Sequence, residues 1–385
     1  MPTKPERLTG VDSLRGIAIL LVVAVHSSGF IAPESTWLTT FANLGPRGVQ
    51  LFYVVSSFSL FLSFANRQAA HQFSYRAYFI RRIARIAPTF WLAMALYLLA
   101  FGVAPRYWAP NGVTGIDIAL TAAFLNGWSP TAINSIVPGG WSVAIETTFY
   151  LLLPFCFLWI RSLRAAVFAT VLALVVRYVL GNWVFRTQLP GFPEDQRYLP
   201  YSYAWELWLP AQLPVFMLGI VLHFLREKTR GTQPGIGVCW LAGAIALIAV
   251  SRFVPTEEFI SSSFLAGVGF VLLALAVFDR DVSFLDNPVF RKIGEVSFSI
   301  YLLHHLVMHF GAGYIIKVLQ ALGQGTKGNL SYGVAYLLIV TASTLLALVT
   351  YRFVEQPSIR LGNKLARWIE RDKALPISGR AEPAN

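Results

Sequence analysis

Arg15 and His26 stand 11 residues apart, separated by the apolar run Gly16–Val25. On a helix that is about three turns, so both side chains share one face, about 16 Å apart along the axis. One helix then offers a fixed cation below and a titratable imidazole above, and imidazole is the side chain suited to general-base work near neutral pH. Asp12 lies one turn before Arg15 and can orient it. In the run Gly139–Glu146 a carboxylate lies six residues, roughly 9 Å, into another apolar segment. His26 is a similar distance from the end of its own segment. The two are expected to meet in depth, with Glu146 fixing the imidazole tautomer or stabilising its charged form. The competing account of each is an interhelical hydrogen bond that only holds helices together.

Arg81, Arg82 and Arg85 open a third apolar segment. Arg82 and Arg85, at i and i+3, point one way. Guanidinium groups bind phosphates through paired donors; lipid headgroup contact is the alternative. Tyr301, His304, His305 and His309 form a polar stripe further on, with His305 and His309 at i, i+4. Two such histidines can bind zinc, but no acidic or third ligand is adjacent in sequence, so no metal is expected and a hydrogen-bonded cavity lining is.

These groups need elements to hold them, and composition says which. Of 385 residues, 56% are hydrophobic and 13% charged, with a mean hydropathy of +0.58. A soluble chain this apolar could not cover its surface, which excludes a soluble multi-domain enzyme, a disordered protein and a disulfide scaffold. Cys156 and Cys239 both lie within apolar runs, so neither a disulfide framework nor a thiolate metal site is expected. The net charge of +12 is confined to short gaps between apolar runs, which fits membrane topology rather than nucleic-acid binding.

The sequence predicts an all-α polytopic membrane protein. Ten segments of about 20 residues are long enough to span: 12–32, 46–65, 83–104, 141–160, 164–184, 204–225, 235–252, 260–278, 293–315 and 331–353. Residues 116–127 are too few and suit a re-entrant or interfacial helix. With that segment on one side, 23 Lys and Arg fall on the face of the N-terminus and seven on the other, so both termini are expected in the cytoplasm. Arg15 followed by Ile17–Val25 has the outline of a signal peptide, but the run continues through Ser27, Ser28 and Gly29 into Phe30, and a retained first helix is expected. The aromatics Tyr107, Trp108, Trp128, Trp183, Tyr198, Tyr201 and Tyr203 suit the bilayer interface, or stacking on sugar rings. Residues 1–357 read as one membrane domain and 358–385 as a basic cytoplasmic tail, disordered after 372.

Taken together, the motifs resemble the acyltransferase 3 family. Asp12-Ser-Leu-Arg15-Gly16-Ile-Ala18 followed by His26 is similar to its Arg-x10-His pattern. Leu51–Leu60 resembles its second-helix motif, with Ser57 where glycine is usual. Arg81-Arg82-Ile-Ala-Arg85-Ile-Ala-Pro88 resembles its arginine motif, and Trp141-Ser142 through Glu146 and Tyr150 to Pro154 its "WSLxxExxFYLxxP". Ser297–His304 and Tyr351–Pro357, with Glu355, complete six motifs in order.

The resemblance implies transfer of an acyl group, most often acetyl, from a cytoplasmic acyl-CoA to a hydroxyl, often of a cell-surface or exported polysaccharide, in a bacterial inner membrane. It implies no permanently bound cofactor. His26 is then the expected general base, with Glu146 beside it. Arg15, Arg82 and Arg85 would hold the CoA phosphates, and Asp12, Trp141, Ser142, Tyr301 and His304 would line the substrate chamber. The partners implied are acyl-CoA, a glycan or other hydroxyl acceptor and the lipid bilayer, with no nucleic acid. The rival readings are a transporter or flippase for a lipid-linked sugar and a structural subunit of an envelope complex.

Overall fold

The computed structural model describes residues 8–69, 74–229, 235–278 and 282–372. Ten helices account for the ten expected segments: α1 (Thr9–Phe30), α2 (Gly48–Ala69), α3 (Tyr75–Phe101), α4 (Gly140–Trp159), α5 (Leu163–Gln188), α6 (Leu209–Thr229), α7 (Ile236–Ser251), α8 (Ser262–Phe278), α9 (Ser297–Ala321) and α10 (Asn329–Thr350). Eight of the described helical stretches are long and apolar enough to cross a membrane, and α7 and α8, at 16 and 17 residues, fall just short. No strand occurs among the described residues, as expected where every backbone group must be satisfied within its own segment.

The short segment near 116–127 is a helix of eight residues, Gly115–Ala122, about 12 Å long and unable to span. A capping box starts it: Thr114 Oγ1 accepts from the Asp117 N–H, and the Asp117 carboxylate accepts from the Thr114 N–H. The ninth segment is broken at Val296. Pro288–Glu295 forms a separate short helix, and the spanning part begins only at Ser297. The proposed boundary at 357 falls at the start of another helix, Gln356–Asp372, which packs along α3; the expected disorder after 372 lies outside the described residues.

α2, α6 and α8 are the most enclosed helices, while α5, α9 and α10 present much of their surface outward. α1 is gripped on several sides. It crosses Pro288–Glu295 so closely that a Cβ at Gly16 would lie 2.2 Å from the Phe290 carbonyl oxygen, and one at Gly294 1.7 Å from the Asp12 carbonyl oxygen. Tyr336 and Tyr332 of α10 donate to the Leu20 and Ala24 carbonyls of α1, at 3.3 and 3.2 Å. α2 meets α6 through Ser57 and Gly219: the Ser57 hydroxyl donates to the Phe216 carbonyl at 2.7 Å, and a Cβ at Gly219 would lie 2.4 Å from the Val54 carbonyl. Without a hydrophobic drive between helices in lipid, small residues and hydrogen bonds set such contacts.

Gly294→Ala is therefore expected to force the crossing apart and to cost about 1–3 kcal/mol, the usual range for overpacking. Thermal unfolding of the detergent-solubilised variant measures it; an unchanged midpoint would show that the crossing has room to spare.

Candidate active site

A partly open cleft lies among α1, α2, α3, α4 and α9. Arg15, Arg82, Arg85, Glu146, Ser142 and Tyr301 line it, along with Ser56, Tyr53 and Tyr150. Six sequence-predicted residues thus share one cavity. The three arginines reach it for local reasons. The Gly16 crossing fixes the rotation of α1 and hence Arg15, and helical spacing sends Arg82 and Arg85 from the first turns of α3 to the same side.

Arg81 faces elsewhere. Its guanidinium makes paired hydrogen bonds with the Glu370 carboxylate of the Gln356–Asp372 helix, at 2.9 and 2.6 Å. Among the described residues, Arg15, Arg82 and Arg85 have no such ion pair, and Arg82 Nε is buried without a hydrogen-bond partner. Asp12, Glu146 and Glu355 are the counter-charges within electrostatic range of Arg15 or Arg85. Glu355 is 1% exposed and accepts from Ser299 Oγ at 2.9 Å. Tyr150 donates to Glu146 at 2.7 Å, and Ser56 Oγ also donates to that carboxylate.

The expected pairing of His26 with Glu146 is not formed. Glu146 bonds to Ser56 and Tyr150, whereas the His26 ring packs against His304 and His305, with centroids 5.2 and 4.3 Å away. The depth argument fails because α4 does not begin at the edge of the bundle. Residues 133–137 fold over its start, with Ile133, Ile136 and Val137 at most 2% exposed. Counting from Gly139 therefore starts inside the protein, and Glu146 falls at the level of Arg15 rather than of His26.

Between the arginines and the histidines stands a knot of polar groups. Tyr301 donates to the Gly139 carbonyl at 3.0 Å and accepts from Ser142 Oγ at 2.9 Å. Gly139 has φ +80°, and a Cβ there would meet the Tyr301 hydroxyl at 2.6 Å. His304 lies one turn beyond Tyr301, fully buried and behind the cleft wall. Trp141 also lies behind it, edge-on to Tyr53. Asp12 is within range of Arg15 but does not line the cavity. A second, apolar groove shares Arg82, Ile86 and Tyr150 with the cleft and continues past Trp91 and Phe124. Several of the interfacial aromatics stack on one another: Tyr107 on Tyr198 at 4.4 Å, and Trp128 edge-on to Trp208.

Sequence reasoning did not single out Ser56, Tyr150 or Glu355 as site residues. Tyr150 was within reach of it, one helical turn after Glu146. Glu355 is carried only by the closing motif, and nothing about Ser56 distinguishes it from its serine neighbours.

The fold and cleft define a polytopic membrane enzyme with a cationic, hydroxyl-bearing chamber. The family model of acyltransferase 3, described as an acyltransferase domain, matches residues 8–352, and the chain belongs to that family. It is 26% identical over 382 residues to the acyltransferase MdmB of Streptomyces mycarofaciens, covering 94% of each chain. It is likewise 26% identical over 391 residues to nodulation protein 10 of Rhizobium leguminosarum bv. viciae, covering 92% of this chain and 94% of that one. To the putative O-acetyltransferase SACOL0978 of Staphylococcus aureus (strain COL) the identity is 23% over 395 residues, spanning 95% of this chain but 59% of that longer protein. The protein is an O-acyltransferase.

Gly139→Ala tests the polar knot. A side chain at positive φ costs about 1–2 kcal/mol, and this one also displaces the Tyr301 hydroxyl. Loss of both melting temperature and activity is expected; an unperturbed variant would show that the knot yields without consequence.

Proposed function

We propose that the protein moves an acyl group, acetyl in preference to longer chains, from cytoplasmic acyl-CoA to a hydroxyl of a carbohydrate such as a cell-surface or exported polysaccharide. It would do so from a bacterial inner membrane with both termini in the cytoplasm. The observation that carries this reading is the contrast among the arginines: Arg81 is neutralised by Glu370, while Arg15, Arg82 and Arg85 face one cleft without ion-pair partners among the described residues. Charges left in that state inside an apolar bundle mark a binding site for an anion, and paired-donor guanidiniums suit the phosphates of CoA. The relatives named O-acetyltransferases favour acetyl as the group carried.

In this reading the CoA phosphates lie against Arg15, Arg82 and Arg85, and the thioester extends toward Ser142 and Tyr301. The acceptor oxygen attacks the thioester carbonyl carbon. The new C–O bond forms as the C–S bond breaks, and His26 takes the hydroxyl proton and returns it to the leaving thiolate. Glu146 acts at the arginine level, holding Ser56 and Tyr150 and balancing the cations, rather than as the partner of His26.

Reconstituted protein given radiolabelled acetyl-CoA and a panel of glycans should label an acceptor hydroxyl. Movement of a lipid-linked sugar across the bilayer with no label transferred would replace this reading with the transport one. His26→Ala should lower turnover by about 10²–10⁴-fold, the usual span of base catalysis, in protein that still reconstitutes normally; wild-type turnover would remove His26 from the chemistry.

The arginines give a sharper contrast. Arg82→Ala combined with Arg85→Ala should raise KM for acetyl-CoA by roughly tenfold or more, the size of one lost charge-assisted hydrogen bond. Arg81→Ala should leave that KM within about twofold, because Glu370 already occupies its guanidinium. Equal effects in both variants would count against a phosphate site at Arg82 and Arg85.

A further inference from the structure

His304 sits on α9 with 1% of its surface exposed. Its Nδ1 lies 2.7 Å from the Tyr301 carbonyl oxygen and 3.1 Å from that of Ile300. Carbonyl oxygens only accept, so Nδ1 carries the proton and, in the neutral ring, Nε2 carries the lone pair. That Nε2 is buried and has no partner among the described residues. It lies within a cluster of three imidazoles, His26, His304 and His305, whose nitrogens approach within 4.8 Å of one another.

Ring spacing selects between the two neighbours. An in-line N–H···N bond of about 2.9 Å, with roughly 1.1 Å from nitrogen to centroid at each end, puts imidazole centroids about 5.1 Å apart. His26 and His304 are separated by 5.2 Å. His305 stands 4.3 Å from each of the other two, which is ring-packing distance and too close for an in-line bond.

We propose that His304 is the positioning residue for His26, its Nε2 receiving the His26 ring N–H and so leaving the other His26 nitrogen unprotonated toward the acceptor hydroxyl. The inference rests on the acyl-transfer reading above. In this proposal the His26 ring turns about its outer torsion to bring its N–H onto that Nε2. When His26 takes the hydroxyl proton, both its nitrogens carry hydrogen, and the bond to Nε2 becomes charge-assisted and stronger. A neutral imidazole thus does here what a buried carboxylate does in a hydrolytic triad: it sets tautomer and orientation and supports the charge that develops. The accepting nitrogen comes from the helix that also carries Tyr301, so one element holds both the cleft wall and the group that orients the base. A metal ion is the weaker account, because two of the three ring pairs pack at stacking distance and no carboxylate in the cluster would offset a buried divalent charge.

The test compares three variants in the reconstituted acetyl-transfer assay. His304→Ala should lower kcat by about 10- to 100-fold, the size of one lost hydrogen bond to a charged group, with KM for acetyl-CoA within twofold. His304→Gln, whose amide oxygen reaches the Nε2 position, should recover a substantial part of that kcat. His305→Phe keeps the ring packing and should stay within a few-fold of wild type. Thermal unfolding of each variant reports the fold separately. Wild-type kcat in His304→Ala overturns the inference, as does an equal loss in His304→Ala and His304→Gln that follows their melting temperatures. One equivalent of zinc in the purified wild type, lost together with activity in His305→Phe, would make the cluster a metal site instead. An inactive wild type, tried on every hydroxyl acceptor, sinks the acyl-transfer reading and this inference with it; an active wild type with a fully active His304→Ala sinks the inference alone.

Discussion

A guanidinium inside a bundle of apolar helices must be given either a partner or a reason to lack one, because an isolated buried charge is among the costliest groups a protein can hold. This chain solves that problem in three ways. Arg177, 1% exposed, gives its terminal nitrogens to the Thr256 and Glu258 carbonyls and lies over the Trp205 ring. Arg81 takes both oxygens of Glu370. Arg15, Arg82 and Arg85 are treated differently: they are gathered at one cleft with Asp12, Glu146 and Glu355 nearby and no ion pair closed among the described residues. In the first two arrangements the terminal guanidinium nitrogens are taken up by protein oxygens, although Arg177 Nε, like Arg82 Nε, is buried without a hydrogen-bond partner among the described residues. The third leaves its cations facing the cleft, which is what the proposed anion site requires.

Holding such a cleft open requires that the surrounding helices be fixed by contacts that do not fill it. Lipid supplies no hydrophobic force between helices, so the fixing is done by close approach and by hydrogen bonds. Gly16 and Gly294 let α1 and Pro288–Glu295 cross backbone to backbone, while Ser57 and Gly219 do the same for α2 and α6. Ser57 is instructive because the resemblance expects glycine there. Its added hydroxyl is absorbed by the Phe216 carbonyl at 2.7 Å, so the departure converts a bare contact into a hydrogen-bonded one without widening it.

What the sequence revealed follows from which forces are local. The ten helices were legible because each apolar run must match the thickness of a bilayer. Arg15, Arg82, Arg85, Ser142 and Tyr301 were legible because helical spacing fixes which residues share a face. The partner of Arg81 was not, since Glu370 lies 289 residues further along the chain. The break at Val296 was hidden within a continuous apolar segment and becomes intelligible only once Gly294 is seen against the Asp12 carbonyl. The misplaced pairing of His26 and Glu146 has the same origin. Depth was counted from Gly139 as if that residue marked the edge of the bundle, and only the folded-back chain at 133–137 shows that it does not.

That error also clarifies how the site is divided. With Glu146 at the arginine level, the cations and the imidazoles form two separate layers, and Tyr301, tied to Ser142 and Gly139, is the group between them. The distance between the layers is set by α1 itself, because Arg15 and His26 are 11 residues apart on one continuous helix, about 16 Å. α10 secures that helix between the two residues, through Tyr336 on the Leu20 carbonyl and Tyr332 on the Ala24 carbonyl. In the proposed acyl transfer, a reactant anchored at the arginines would therefore meet His26 at a fixed height, and any tuning of the reaction would come from the far side of the cleft. There α9 presents Tyr301 to the cleft and, one turn later, His304 to the His26 ring. The cleft and the histidine cluster are thus two ends of the same two-helix frame, which is why a change in the packing of α1 against α9 would be felt in both.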